Sequence, residues 1–164
     1  MIRNAEKTDA NRICDIYNHY VLNAHSTFET EPLNSSEMAK RFEKVQAELQ
    51  LPWLVLEIDK EIKGYTYATQ WKPRQAYSRT VESTIYLDSN ESGKGYGAEL
   101  YGALINQLDE LEYHSILGGI ALPNEESIAL HERLGFVKVG QLKEVGYKFD
   151  RWVDVGYWEL MLNR

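Results

Sequence analysis

Residues 79–122 constrain the fold of this chain more than any other stretch. Residues 79–87 form an apolar, β-prone run, and the turn Ser92-Gly93-Lys94-Gly95-Tyr96-Gly97 follows a few positions later. Over 98–111, Leu100, Leu104, Ile105, Leu108 and Leu111 recur at helical spacing, and 115–122 returns to a β-type run that Gly118-Gly119 is expected to break. A strand, a helix and a strand in that order predict a crossover unit with its two strands parallel.

The flanking segments read differently. Ile2–Asn4 opens as a short strand, and Thr8 is the expected cap of a helix carrying Ile13, Ile16, Tyr17, Tyr20 and Val21 on one face. Ser35 or Ser36 is the expected cap of a second helix reaching about Gln50, and the irregular segment 27–33 between the two is a plausible cleft wall. Trp53–Ile58 and 62–71, joined by Asp59-Lys60-Glu61, predict an antiparallel hairpin. Asn124 caps a helix over 125–134 that Gly135 closes, and 136–139, 146–149 and 155–162 end the chain as strand segments. The order βααβββαβαββ predicts a mixed, mostly antiparallel sheet with one parallel βαβ crossover and helices on both faces, in a single domain over 1–164.

Charge narrows the function. Lys and Arg number 18 against 25 Asp and Glu, a net charge of −7, so a general nucleic-acid binder is not expected. The lone Cys14 forms neither an internal disulfide nor a cysteine zinc cluster, which fits a reducing cytoplasm. The N-terminus shows no basic segment leading into an apolar one, and no run of about eighteen apolar residues reads as a membrane span.

The glycine turn sits where a strand meets a helix N-terminus. Glycines admit a ligand close to the backbone, and the unpaired N–H groups of the helix suit a pyrophosphate. A nucleotide-triphosphate loop is excluded because Lys94 is followed by Gly95 rather than by a Ser or Thr to hold magnesium. Gly93-Lys94-Gly95-Tyr96-Gly97-Ala98 formally meets the dinucleotide fingerprint, but Leu122-Pro123-Asn124 stand where an acidic ribose ligand is needed. A plain strand-to-helix joint is the remaining alternative.

Together with Leu122-Pro123-Asn124 and Leu130-His131-Glu132-Arg133-Leu134-Gly135-Phe136, this turn resembles the acetyl-CoA pyrophosphate loop, strand end and following helix of the GNAT N-acetyltransferases. Trp71-Lys72-Pro73-Arg74, Val81-Glu82-Ser83-Thr84-Ile85-Tyr86 and Gly146-Tyr147-Lys148-Phe149-Asp150-Arg151-Trp152 resemble the phosphinothricin and methionine sulfoximine acetyltransferase branch, with matches along nearly the whole chain. The resemblance implies a GNAT fold, acetyl-CoA as co-substrate without a metal, direct acetylation of the α-amine of a small amino-acid-like compound, and a homodimer. It implies coenzyme contacts at Ile85, Tyr86 and Leu87, along Ser92, Gly93, Lys94, Gly95, Tyr96, Gly97 and Ala98, and at Asn124 and Ser127. Ser92 stands where the superfamily usually has Gln or Arg, so one side-chain contact to the phosphates is missing or passes to Lys94. An acetyl-CoA-binding regulatory module without turnover and an acetyltransferase of peptides or proteins are the competing readings.

An amine attacks a thioester only when unprotonated, so the reaction needs a proton acceptor, donors for an oxyanion and an acid for the leaving thiolate. Glu82, mid-strand, either faces solvent or projects into a cleft; the resemblance implies that it is the general base, acting through water. His131 stands near where the superfamily often places a Tyr that protonates the sulfur, and is either a proton donor, a positioning group or a packed residue. His19, His25 and His114 form no metal-ligand spacing. Asn124 is a helix cap, a ligand of the pantetheine arm, or both; Gly118-Gly119 mark either close approach of that arm or a bulge. Lys72, Arg74 and Arg79 fall in an acid-free segment of an acidic protein, which suggests an anion site for the acceptor as against a solvated charged face. Phe28, Tyr77 and Trp71 are candidate apolar walls.

Overall fold

In a computed structural model that describes residues 1–162, the chain runs β1 (Ile2–Asn4), α1 (Ala10–Asn23), α2 (Ser35–Glu43), β2 (Trp53–Ile58), β3 (Glu61–Gln70), β4 (Thr80–Leu87), α3 (Tyr96–Glu110), β5 (Ser115–Ala121), α4 (Glu125–Arg133), β6 (Val137–Lys148) and β7 (Arg151–Met161). Asn163 and Arg164, the end of the expected 1–164 domain, lie outside the described residues. The strands form one sheet in the order β1-β2-β3-β4-β5-β7-β6. Each neighbouring pair is antiparallel except β4 with β5, the pair joined through α3. The expected crossover is present at the expected place.

Strand alternation divides the core between two faces. Tyr86 of β4 meets Tyr17 and Tyr20 of α1, with ring centroids 5.4 and 5.1 Å away, while Trp53 of β2 meets Phe42 of α2 at 5.5 Å. That face carries a stack of Trp53, Tyr65 and Tyr67. The opposite face takes α3, whose Leu100, Tyr101, Leu104 and Leu108 are wholly buried. Each such side chain contributes about 1.5–3 kcal/mol by leaving water, so α3 is anchored along its whole length. Tyr101 belongs to this buried stripe, whereas the expected Leu111 is exposed.

Local details correct several expectations. Thr8 does not cap the first helix: Asp9 accepts the Glu6 N–H at 2.7 Å and is gripped by the Arg3 guanidinium at 2.8 and 3.0 Å. Asn34, not Ser35 or Ser36, caps α2 through a reciprocal pair, Glu37 N–H to Asn34 Oδ1 at 2.9 Å and Asn34 N–H to the Glu37 carboxylate at 2.8 Å. The helix ends at Glu43 and passes into a π-helical turn over Lys44–Glu48. The segments 136–139 and 146–149 are one strand, β6, interrupted by irregularities between Lys138 and Gly140 and between Leu142 and Gly146. Asp154 of β7 holds that bulged stretch, accepting from Glu144 N and Gln141 Nε2, each at 2.8 Å. Gly118-Gly119 leave no break, since β5 pairs with β7 without interruption from Ser115 to Ala121. Among the described residues no helix is long and apolar enough to cross a membrane.

Candidate active site

The site follows from where β4 and β5 stop pairing. Their parallel register runs from Thr80↔Ser115 to Glu82↔Leu117, and beyond it the strands part. The opening is a cleft of about 850 Å³ lined by 82–88, by Gly119, Ile120 and Ala121, by the glycine turn, and by the first turns of α4. Such a volume takes a ligand of cofactor size.

At its far end the glycines serve three purposes. Gly93 and Gly95 have φ of +76° and +85°, the left-handed region, and a Cβ at either would meet no atom within 4 Å. The loop is therefore open on the side where a ligand would lie. No side chain caps α3, so its leading N–H groups remain available to an anion. Gly97 instead brings helices together, since a Cβ there would stand 3.3 Å from Leu130 of α4. Ser92 Oγ donates to the Glu126 carboxylate at 3.0 Å, tying the turn to α4, while Lys94 Nζ turns to Glu91 at 2.8 Å. Of the expected coenzyme contacts, Ile85, Tyr86, Leu87, Ser92, Gly93, Gly95, Gly97, Ala98, Asn124 and Ser127 line the cleft, whereas Lys94 and Tyr96 stand outside its lining. The Asn124 side chain accepts from Ser127 N at 3.1 Å, so it caps α4 while facing the cleft.

Glu82 and His131 both line the cleft from opposite faces of the sheet. Glu82 shares the face of Thr84 and Tyr86, toward α1, and its carboxylate would lie 3.3 Å from a Cβ on Gly119. Burial raises its pKa above the usual carboxylate range, and the nearby Lys72 ammonium opposes that shift. His131 packs on the α3 side against Gly118, where a Cβ would come within 2.5 Å of Nε2. The two glycines thus make room for two different polar side chains, one on each face. Burial lowers the pKa of His131, opposed by a hydrogen bond between Nδ1 and the Ser127 carbonyl, 2.7 Å apart. Among the described residues no group of three His, Cys, Asp or Glu could hold a metal ion.

On the α1 face the cleft is walled by Tyr17, Tyr20, Ser26, Thr27, Tyr67 and Thr84. The irregular segment after α1 is tightly held. Asn18 clamps Leu33 through two bonds of 2.8 and 2.9 Å, and Glu29 accepts from Tyr17 and Arg41. The buried Lys148 ammonium donates to the carbonyls of Ala24 and Thr27 at 2.7 and 2.8 Å. Phe28 packs its ring over Gly146 of β6, leaving no room for a Cβ there, and it stands outside the cleft lining.

The basic segment is split. Lys72 lies over the Trp71 ring at 5.1 Å and within electrostatic reach of Glu82, and Arg74 is exposed. Arg79 instead donates to the Glu112 carbonyl at 2.8 Å. Trp71 also meets Tyr157 edge-on at 5.7 Å, and Tyr157 flanks Gly119 beside Glu82. Sequence reasoning missed Tyr157, Ser83 and Tyr101 as site neighbours. Only Tyr101 left a trace, as a polar hydroxyl on the apolar stripe of its helix.

The family model described as "Acetyltransferase (GNAT) domain" matches residues 2–156. A phosphinothricin N-acetyltransferase of Streptomyces viridochromogenes is 39% identical over 158 residues, covering 96% of this chain and 85% of its own. An L-methionine sulfoximine/L-methionine sulfone acetyltransferase of Salmonella typhimurium is 33% identical over 162 residues, 99% of this chain and 94% of its own. Among solved structures, a GNAT superfamily phosphinothricin acetyltransferase of Sinorhizobium meliloti in complex with AcCoA superposes with a TM-score of 0.95 at 34% identity, covering 99% of this chain and 88% of that one.

Proposed function

This chain belongs to the GNAT acetyltransferase family, and from that premise we propose that it transfers the acetyl group of acetyl-CoA directly to the α-amine of a small amino-acid-like compound of the methionine sulfoximine, methionine sulfone or phosphinothricin type. The observation that carries the reading is the place of Glu82. Its half-buried carboxylate, with a raised pKa, stands where β4 and β5 part and lines the same cleft as Tyr17, Tyr20, Tyr67 and the glycine turn.

Acetyl-CoA, when bound, supplies an acyl group already activated as a thioester. Backbone N–H groups of the glycine turn and of the α3 N-terminus would hold its pyrophosphate, with Asn124 and Ser127 along the cleft; the open space beside Gly93 and Gly95 fits that group. Glu82 accepts the proton that the attacking amine must lose, through a water, and its raised pKa makes it a better acceptor than an ordinary carboxylate. His131 serves the leaving thiolate from the other face. Lys72 and Arg74 attract the acceptor's anionic groups, Arg79 being engaged by Glu112. Lys72 then does two things at once, because the charge that attracts the acceptor also restrains the pKa of the base.

The chain acts as one domain over 1–164, in the cytoplasm, where its only cysteine, the buried free Cys14, suits reducing conditions. A homodimer buries the outer side of β6 and the β6–β7 turn, where Tyr147, Phe149 and Trp152 are 53%, 54% and 62% exposed.

Thiol release from acetyl-CoA, measured across free amino acids, sulfoximines, sulfones, phosphinates and peptides, tests the assignment. Turnover confined to the small amino-acid-like amines is expected. Absence of turnover on every amine would support a regulatory module, and preference for peptides would support an acetyltransferase of peptides or proteins.

A further inference from the structure

On the α1 face of the sheet, Glu82 of β4, Gly119 of β5 and Tyr157 of β7 lie close together. Gly119 pairs with Tyr157, and residues paired across strands project to one face. A Cβ at Gly119 would stand 3.3 Å from Glu82 Oε1 and 3.3 Å from Tyr157 Cε1. The carboxylate and the phenol ring therefore converge on the space that this glycine leaves. Trp71 stands two residues past Thr69, the β3 partner of Glu82, and meets the Tyr157 ring edge-on at 5.7 Å. The strands β3 and β7 are three places apart in the sheet, a span of about 14 Å at the usual strand spacing. Rings from those two strands come into contact only by leaning inward over β4 and β5, the strands that carry Glu82 and Gly119.

Few charges share that face. The titratable groups toward Glu82 are Lys72, over the Trp71 ring, and the phenols of Tyr67 on β3, Tyr17 on α1 and Tyr157 on β7, with Tyr101 of α3 behind the sheet. The other carboxylates nearby are engaged: Glu159 accepts from Ser115 Oγ and Glu29 from Arg41, each at 2.8 Å. Burial and the charge of Glu82 raise the pKa of Tyr157, so the phenol stays neutral and brings no charge of its own. What Tyr157 and Trp71 bring to the carboxylate is apolar surface, and apolar surface beside a carboxylate disfavours its charged form.

We propose that Tyr157, with Trp71 against it, is a positioning residue whose ring shields the Glu82 carboxylate from bulk water on the β7 side and so keeps it a stronger proton acceptor than an exposed carboxylate. The inference rests on Glu82 as the base, proposed above. Tyr157 stands outside the cleft lining and acts through Glu82, without contact to acetyl-CoA or the acceptor.

Carbon-13 NMR of the glutamate carboxyls, with the Glu82 resonance identified by its loss in Glu82→Gln, reads this shielding independently of turnover. In Tyr157→Ala water reaches the carboxylate from the β7 side. Its titration, and with it the acidic limb of the kcat profile, should move to lower pH by about 0.5–1 pH unit, a fraction of the roughly 3–5 reached on full burial. Tyr157→Phe keeps the ring atoms that make both contacts and should titrate and turn over as the native protein does. Trp71→Ala/Lys72→Ala, compared with Lys72→Ala alone, removes the second ring without the confounding loss of the ammonium, and should also move the titration to lower pH. That comparison decides the matter if Tyr157→Ala folds poorly. A Glu82 titration unmoved in both, or a shift in Tyr157→Phe equal to that in Tyr157→Ala, would overturn the shielding role and leave Glu82 as the base. Native turnover in Glu82→Gln would instead overturn the base, and with it any service of Tyr157 to catalysis.

Discussion

At Glu82 two influences of opposite sign meet, and with Glu82 as the proposed base their balance would set the acidic limb of the pH profile. A base acts when ionised, so turnover falls as pH drops through its pKa; burial moves that limb above the ordinary carboxylate range, and Lys72 moves it partway back. Glu82→Gln should lower kcat by about 10²–10⁴-fold. Lys72→Ala should shift the acidic limb of the kcat profile to higher pH, and an unmoved limb would separate Lys72 from the base. The paired glycines give a second test at this scale. In Gly118→Ala the methyl would stand 2.5 Å from a buried imidazole that has no room to retreat, so Tm and kcat should both fall, with about 1–3 kcal/mol of stability lost to overpacking. In Gly119→Ala the contacts are 3.3 Å to Glu82 and to Tyr157, so activity should fall while Tm stays near native. Thermal denaturation beside steady-state kinetics on both variants distinguishes the two faces.

Among the elements, the glycine turn and α3 allow a controlled comparison. Gly95→Val forces a branched side chain into a left-handed conformation and fills the open side of the loop, so the acetyl-CoA KM should rise. Gly102, within α3, would point a Cβ into empty space, so Gly102→Ala should stabilise the protein by about 0.5–1 kcal/mol and leave that KM alone. Equal effects of the two substitutions on KM would remove the turn from coenzyme binding. The crossover was readable because its signals are local: glycines, a helical repeat and two β-type runs within 79–122. Helix caps were misread where several polar residues adjoin a helix start and side-chain pairing decides among them, as Glu37 pairs with Asn34 rather than with Ser35 or Ser36, and as Asp9 is taken by Arg3 and the Glu6 N–H. The continuity of β6 was hidden because its polar middle resembles a loop until Asp154 of β7 satisfies the bulge. Alternation along β4 separates Glu82 from Ser83, yet no local pattern says that α4 delivers His131 to the face opposite Glu82. Arg79 shows the same limit, since its partner Glu112 comes from beyond α3.

For the molecule as a whole, the edge strand β6 exposes Val137, Val139, Leu142 and Val145 and ends in the Tyr147–Trp152 pair, ring centroids 4.9 Å apart, across the turn into β7. Trp152→Glu should convert a dimer into a monomer in light scattering, and a native protein that is already monomeric would contradict the proposed assembly. Glu82 and His131, on opposite sides of one sheet, have a consequence for descent. Changes in α1, in the segment after it or in 71–79 would alter the wall proposed to meet the amine, while α3, α4 and the glycine turn stay as they were. A lineage could thus exchange one acceptor for another by drift on one side of the sheet, inheriting its coenzyme chemistry unaltered on the other.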